Sequence, residues 1–184
     1  MYKKIMTVLA LSLTFPAFAD DINCVQSIGA KTIDGNIIVP AGRSCTLNGT
    51  KVKGNVELRD RAQILIQNGA NVIGNVQTDG AYRVRILNST INGDVQLTGI
   101  SYNQRSLILY SEIGGTVDWK DNQAPFLIQY SDVDSDVKVN QNRGAARVYD
   151  NVIGGNLQCQ SNAPAPQGAR NIVDGNKEDQ CARF

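Results

Sequence analysis

The sequence predicts an all-β protein, a single-stranded parallel β-helix winding at about 20 residues per turn. Three observations predict it. A five-residue phrase recurs eight times at nearly constant spacing, the residues beside it alternate apolar and polar, and nothing after residue 19 has helical periodicity.

The phrase is a branched apolar residue, any residue, glycine, Asn or Asp, then an apolar residue. It stands as IDGNI (33–37), VKGNV (52–56), VIGNV (72–76), INGDV (91–95) and IGGNL (153–157), and in looser form as IGGTV (113–117), VDSDV (133–137) and VDGNK (173–177). The third position falls at 35, 54, 74, 93, 115, 135, 155 and 175, in steps of 19, 20, 19, 22, 20, 20 and 20. A period this regular means stacked units, each contacting only its neighbours.

Each unit holds short strands. After the phrase, VELR (56–59), VQLT (95–98), VDWK (117–120), VKVN (137–140) and LQCQ (157–160) alternate in one phase, which turns Trp119 inward beside Leu97 and Val139. Before the glycine lies a second strand, ILI (64–66), VRI (84–86), LIL (107–109), LIQ (127–129) or RVY (147–149). Two or three such strands close one turn of a coil. The chain lacks the hexapeptide rhythm of left-handed β-helices, and a right-handed coil is expected from the chirality of parallel crossovers.

The phrase then marks a corner. Glycine at Gly35, Gly54, Gly74, Gly93, Gly115, Gly155 and Gly175 is expected to supply a positive φ. The next residues, Asn36, Asn55, Asn75, Asp94, Thr116, Asp136, Asn156 and Asn176, fall above one another and predict a hydrogen-bonded ladder.

The ends differ from the middle. Residues 1–19 have the basic start Lys3-Lys4, an apolar run too short to span a bilayer, and Ala17-Phe18-Ala19 as a cleavage site, so they read as a secretory signal peptide. No transmembrane segment is expected after its removal, and the compartment is periplasmic or extracellular. Residues 20–50 read as an N-terminal cap and first turn, 51–160 as the β-helix turns, and 161–184, broken by Pro164 and Pro166, as a C-terminal cap.

The four cysteines fit that compartment. Three pairings exist, and Cys24–Cys45 with Cys159–Cys181 is favoured because each pair lies about one repeat apart near one end. Such bridges would clasp the terminal turns, where a stack frays most easily. No Cys-x-x-Cys spacing and no histidine exist, so zinc chemistry is not expected and no cofactor is implied.

Without histidine neither a Ser-His-Asp nor a Cys-His arrangement can form. Loss of Lys3 and Lys4 from the 18 basic residues leaves 16 against 17 acidic ones, a balance that excludes a general nucleic-acid binder. One acidic run, Asp132, Asp134 and Asp136, is a weak calcium candidate. Asp118, Asp121 and Asp150 lie on different turns and would need to converge for a pectin-lyase-like carbohydrate-active site, the alternative function. The tight turns leave no long loops to wall a substrate groove. No regular Thr-x-Thr column supports an ice-binding face.

A binding surface is the stronger reading. With Val84, Ile86, Ile108, Ile128 and Val148 inward, Leu65, Leu87, Leu107, Leu109, Leu127 and Tyr149 point outward and would form an apolar stripe. Tyr110 and Tyr130, one turn apart, are expected to stack, as core packing more than as a sugar platform. The sequence therefore predicts an exported structural or binding module without catalysis, presenting a rigid face to a protein, a cell-surface glycan or another copy of itself.

Two stretches carry a family likeness. VPAGRSCTLNGTKVKGNV (39–56) resembles the opening, and GGNLQCQSNAPAPQGARNIVDGNKEDQC (154–181) the closing segment, of small exported bacterial β-helix proteins, mostly uncharacterised. That resemblance implies a fold and a compartment, not a reaction. The Gly-Asn-Val turns also resemble those of bactofilins, filament-forming β-helices that lack this leader and these cysteines.

Overall fold

Parallel pairing once per turn sorts the strands of the described residues into three sheets. A computed structural model describes residues 21–184. The export signal expected over 1–19 lies outside the described residues.

Twenty-five short strands make sheets of nine, eight and eight strands, here called A, B and C, in which every pairing is parallel and joins one turn to the next. Sheet A holds the strands that follow the repeated phrase, such as Val76–Asp79, Val95–Thr98 and Val117–Lys120. Sheet B holds the second strands, such as Arg83–Leu87, Ser106–Leu109 and Phe126–Gln129. Sheet C holds two-residue strands immediately before the glycine, such as Asn71–Val72 and Thr90–Ile91. Register is strict: Val56, Val76, Val95, Val117, Val137 and Leu157 stack in one column.

The alternation read from the sequence holds. Val84, Ile86, Ile108, Ile128 and Val148 are fully buried, as is Trp119, which stacks on Phe126 across the interior at 4.5 Å between centroids. Both expected disulfides form, with Cα–Cα distances of 5.5 Å for Cys24–Cys45 and 5.3 Å for Cys159–Cys181. Their presence suits a non-reducing compartment.

The glycine corner works differently from the expectation. None of Gly54, Gly74, Gly93, Gly115, Gly155 and Gly175 has positive φ. The left-handed backbone sits at the other two corners instead. Arg61, Asp121, Gln141 and Ser161 adopt it between sheets A and B, and Asn68, Asn88, Tyr110, Tyr130, Asp150 and Arg170 between B and C. The glycines are needed for close approach. Each Asn or Asp side chain reaches up to the next turn, where its Oδ1 accepts from a backbone N–H at 2.8 Å: Asn36 from Asn55, Asn55 from Asn75, Asn75 from Asp94. A Cβ on the glycine above would collide with that Oδ1 and would lie only 2.7 Å from the Gly54 carbonyl oxygen in the case of Gly74.

The one exception in the column supports this account. Where the lower residue is Thr116 rather than Asn or Asp, the residue above is Ser135, and the two hydroxyls hydrogen-bond at 3.2 Å. Glycine is absent only where the long acceptor is absent.

Two further ladders run inside the other corners. Ile100, Asn122 and Asn142 N–H groups donate to the Oδ1 of Asn122, Asn142 and Asn162 one turn on, at 2.7, 2.9 and 3.0 Å. Gln180 Oε1 ends that series by accepting from Asn162 N–H at 2.9 Å. The amide NH₂ groups donate to Leu97, Trp119 and Val139 carbonyls, so these buried side chains are satisfied at both ends. Ser89, Ser111, Ser131, Asn151 and Asn171 form the equivalent column between sheets B and C. Both columns recur at the period of the phrase and were legible, but short polar residues near turns do not announce that they are buried.

The two ends are not alike. In the stretch 20–50, Ile22–Asn23, Ser27–Ile28 and Thr32–Ile33 pair with the following turn as ordinary strands, and they are the edge strands of the three sheets. This stretch is thus turns of the coil fastened by Cys24–Cys45, with Ile22 and Val25 exposed on the first. At the other end Cys181 is buried, Phe184 packs against the core over Gly168, and Lys177 Nζ donates to the Asn171 and Phe184 carbonyls. That end is closed by the chain's own tail.

Candidate interaction face

Three outward faces follow from three sheets, and their chemistry differs because each column repeats its own residue type. Sheet A presents a polar ladder in which Gln77 donates to Glu57 at 3.4 Å and Gln158 to Glu178 at 3.0 Å. A shallow groove of about 390 Å³ lies on it, lined by Glu57, Arg59, Gln77, Asp79, Gln96 and Thr98. Glu57 is held there by Arg59 at 3.2 Å. Sheet C carries Lys51 at one end and Glu112 and Asp132 in the middle, then the exposed apolar Val152 and Ile172.

Sheet B is the distinctive face. Its eight strands contain no Asp or Glu, and their only charged residues are Arg83, Arg85 and Arg147. Leu65, Leu87, Leu107, Leu109, Leu127 and Tyr149 all point outward and are half-buried, as the sequence predicts. Register arranges them in two adjacent columns. One runs Leu65, Arg85, Leu107, Leu127, Arg147, and the other Leu87, Leu109, Gln129, Tyr149.

Arg85 lies among these leucines with its Nε buried and no hydrogen-bond partner among the described residues. Burial, and then the charge of Arg83, push its guanidinium below its ordinary value, yet an arginine stays charged at neutral pH. Arg83 donates to Gln63 at 3.2 Å. Arg170, at the corner beside the face, is by contrast paired with Asp150 at 2.8 Å and lies over the Tyr149 ring.

Tyrosines line both long edges of this face. Tyr110 and Tyr130 stack at 5.0 Å between centroids, but they are 63% and 48% exposed, at left-handed corners, so the expectation of core packing is overturned. The reason is their position: they follow the last residue of the sheet B strand and swing outward at the turn. Tyr82 and Tyr102 form a second pair at 5.0 Å on the opposite edge.

The acidic candidates scatter. Asp132 points out from sheet C, Asp134 sits beside the corner, and Asp136 turns up to accept from Asn156 N–H at 2.8 Å while pairing with Lys138 at 3.2 Å. That backbone bond, aided by Lys138, holds the Asp136 carboxyl below the usual range. Among the described residues no group of three or more acidic or cysteine side chains is placed to hold a metal ion. Asp118 faces outward on sheet A with one buried, unpartnered oxygen, and burial raises its pKa. Asp121 is at the A–B corner and Asp150 at the B–C corner, so sheet B separates Asp150 from the other two.

Among the described residues no helix is long and apolar enough to cross a membrane. Comparison with known protein families, curated proteins and solved structures finds no match for this chain.

Proposed function

We propose that this protein is an exported binding module, and that its working surface is the outward face of sheet B. The observation that supports this is the difference in chemistry between faces: five leucines and a tyrosine with three arginines and no carboxylate in the strands of B, against a polar ladder on A and, on C, charged residues followed by the exposed Val152 and Ile172. Packing of these half-buried leucines on their neighbours one turn away contributes only about 0.2–1 kcal/mol per pair, and a polar residue at any of them would leave the core undisturbed. A persistent apolar stripe on a periodic scaffold is what a binding surface needs. Strict register and cross-turn ladders hold the side chains in fixed rows, so little order is lost on docking.

The export reading rests on the leader-like residues 1–19 and the two disulfides. The test is retention on isolated cell-envelope fragments. Leu107→Ser with Leu127→Ser should weaken retention severalfold while circular dichroism shows the fold intact. Retention equal to that of the parent protein would refute the assignment of this face. Incubation with acidic polysaccharides checks the enzyme alternative, since turnover would displace the binding reading.

A further inference from the structure

We infer that the partner of sheet B is an anionic lipid surface, which the face meets flat, arginines on headgroup phosphates and leucines and tyrosines at the boundary beneath. The inference rests on the reading of sheet B as the working surface and names what that surface takes.

Charge gives the sign of the partner. Arg85 is surrounded by Leu65, Leu107 and Arg83 and has a buried Nε without an acceptor, on a sheet whose strands contain no carboxylate; Asp150, at the corner beside it, is engaged by Gln129 and Arg170. With Nε shut in by its neighbours, an external anion would meet the terminal Nη groups, for which no hydrogen bond is seen among the described residues, and phosphate matches that end of the fork. Arg147 stands exposed beyond Leu107 and Leu127 in the same column. With about 4.8 Å between turns the two arginines stand roughly 14 Å apart, bracketing the leucines.

The shape of the face argues against a folded protein. From Leu65 to Arg147 it spans four steps of register, roughly 19 Å, and a strand of four or five residues is about 14–17 Å wide. That is on the order of 300 Å², well below the roughly 800 Å² per partner of a stable protein pair. The nearest hollow, between Leu127, Gln129, Arg147, Tyr149, Gln167 and Arg170, is half lined by long side chains that already pair. No deep pocket is available to seat an anchoring residue.

A second copy fits no better. Two such faces stacked in full overlap would bury only about 300 Å² per partner, again well below what a stable pair needs. A bilayer has none of these limits, and tyrosines along both edges are the residues that settle at a headgroup boundary. Juxtamembrane basic residues add to the attraction one by one and are screened by salt.

The experiment is flotation of the purified disulfide-bonded protein with vesicles of phosphatidylglycerol and phosphatidylcholine in equal parts, against vesicles of phosphatidylcholine alone. Binding to the first set only is expected, with loss at high salt. Arg85→Glu with Arg147→Glu should weaken it at least tenfold, and Leu107→Ser with Leu127→Ser severalfold. Lys120→Glu with Lys138→Glu on sheet A should leave it unchanged, and circular dichroism keeps track of folding in all three. Absence of binding to anionic vesicles overturns the lipid inference. If envelope retention still depends on Leu107 and Leu127, or soluble polyglutamate binds through Arg85, the partner is an acidic polymer and the reading of the face stands. If vesicles bind but the sheet A variant weakens binding as much as the sheet B one, both fall.

Discussion

Serine in place of glycine at position 74 is expected to be tolerated only when the asparagine beneath it is also changed. The Asn55 Oδ1 accepts from Asn75 N–H at 2.8 Å, and a Cβ at position 74 would overlap that oxygen. Restoring an ordinary contact means moving the oxygen by on the order of 1 Å, which takes the hydrogen bond beyond its useful length. The lost bond leaves a half-buried N–H unsatisfied, about 1–3 kcal/mol, and the crowding adds about 1–3 kcal/mol. Gly74→Ser alone should therefore destabilise by about 3 kcal/mol, a fall in Tm of about 6–12 °C for a chain of this size. Asn55→Thr alone loses the same hydrogen bond without crowding, about 1 kcal/mol. The double variant copies Thr116 under Ser135, a pair the protein already contains at 3.2 Å. Its loss should be smaller than that of Gly74→Ser, a favourable coupling of about 2 kcal/mol. Urea titration of the four proteins, with unchanged m-values, measures the cycle. Additive losses would show that the Gly54 carbonyl oxygen, which a Cβ at position 74 would approach to 2.7 Å, requires the glycine independently of Asn55.

Three further outcomes are expected. Asn142→Leu leaves Asn122 N–H and the Trp119 carbonyl without partners in the core, so it should destabilise by about 2–5 kcal/mol; a melting curve within a degree of the parent would contradict the ladder's role. Replacing Cys24 and Cys45 by serine removes a loop closure of 21 residues, about 3 kcal/mol in the chain-entropy picture. Because a stack frays from its ends, hydrogen exchange should accelerate over Ile22–Ile28 while Val117–Lys120 keeps its protection; uniform acceleration would argue for global unfolding instead. The two perturbed carboxylates should tilt stability with pH in opposite senses. Burial lifts the Asp118 pKa, so the native state holds that proton more tightly than the unfolded chain, and stability falls as pH rises through the lifted value. Asp118→Asn should stabilise at pH 7 and do nothing below the ordinary carboxylate range. The Asn156 N–H depresses Asp136, whose contribution is present at pH 7 and lost as pH falls through the depressed value. Asp136→Asn should make that acid loss shallower. Melting temperatures between pH 3 and 8 check both slopes.

The architecture was legible because period and alternation are properties of the chain alone. Steps near 20 residues gave the turn, and the phase of VDWK and LIQ placed Trp119 and Ile128 inside before any contact was known. The disulfide pairing followed from the same period. What escaped was the reason for each recurrent residue. Gly54 and Asn36 are 18 positions apart, so the demand one makes on the other is invisible until turns are stacked. The left-handed corners escaped because the residue type there is not constant: Asn68, Asn88, Asp121 and Asp150 suit that backbone, but Tyr110, Gln141 and Arg170 hold the same places without turn preference. The outward leucines were found by phase, whereas the isolation of Arg85 among them needed the register that sets it between Leu65 and Leu107.

The dependence of each turn on the asparagine beneath it has an evolutionary consequence. A unit running from just after one asparagine through the next, such as 56–75, carries one acceptor and one glycine that answers the acceptor before it. Excising or duplicating such a unit leaves every oxygen under a glycine and each inward column unbroken. The molecule can therefore be lengthened or shortened in increments of one layer, roughly 4.8 Å, by recombination between copies of a single short stretch of gene. Small departures are absorbed locally: the 22-residue step from Gly93 to Gly115 keeps Val95 in register with Val117 and Ile91 with Ile113.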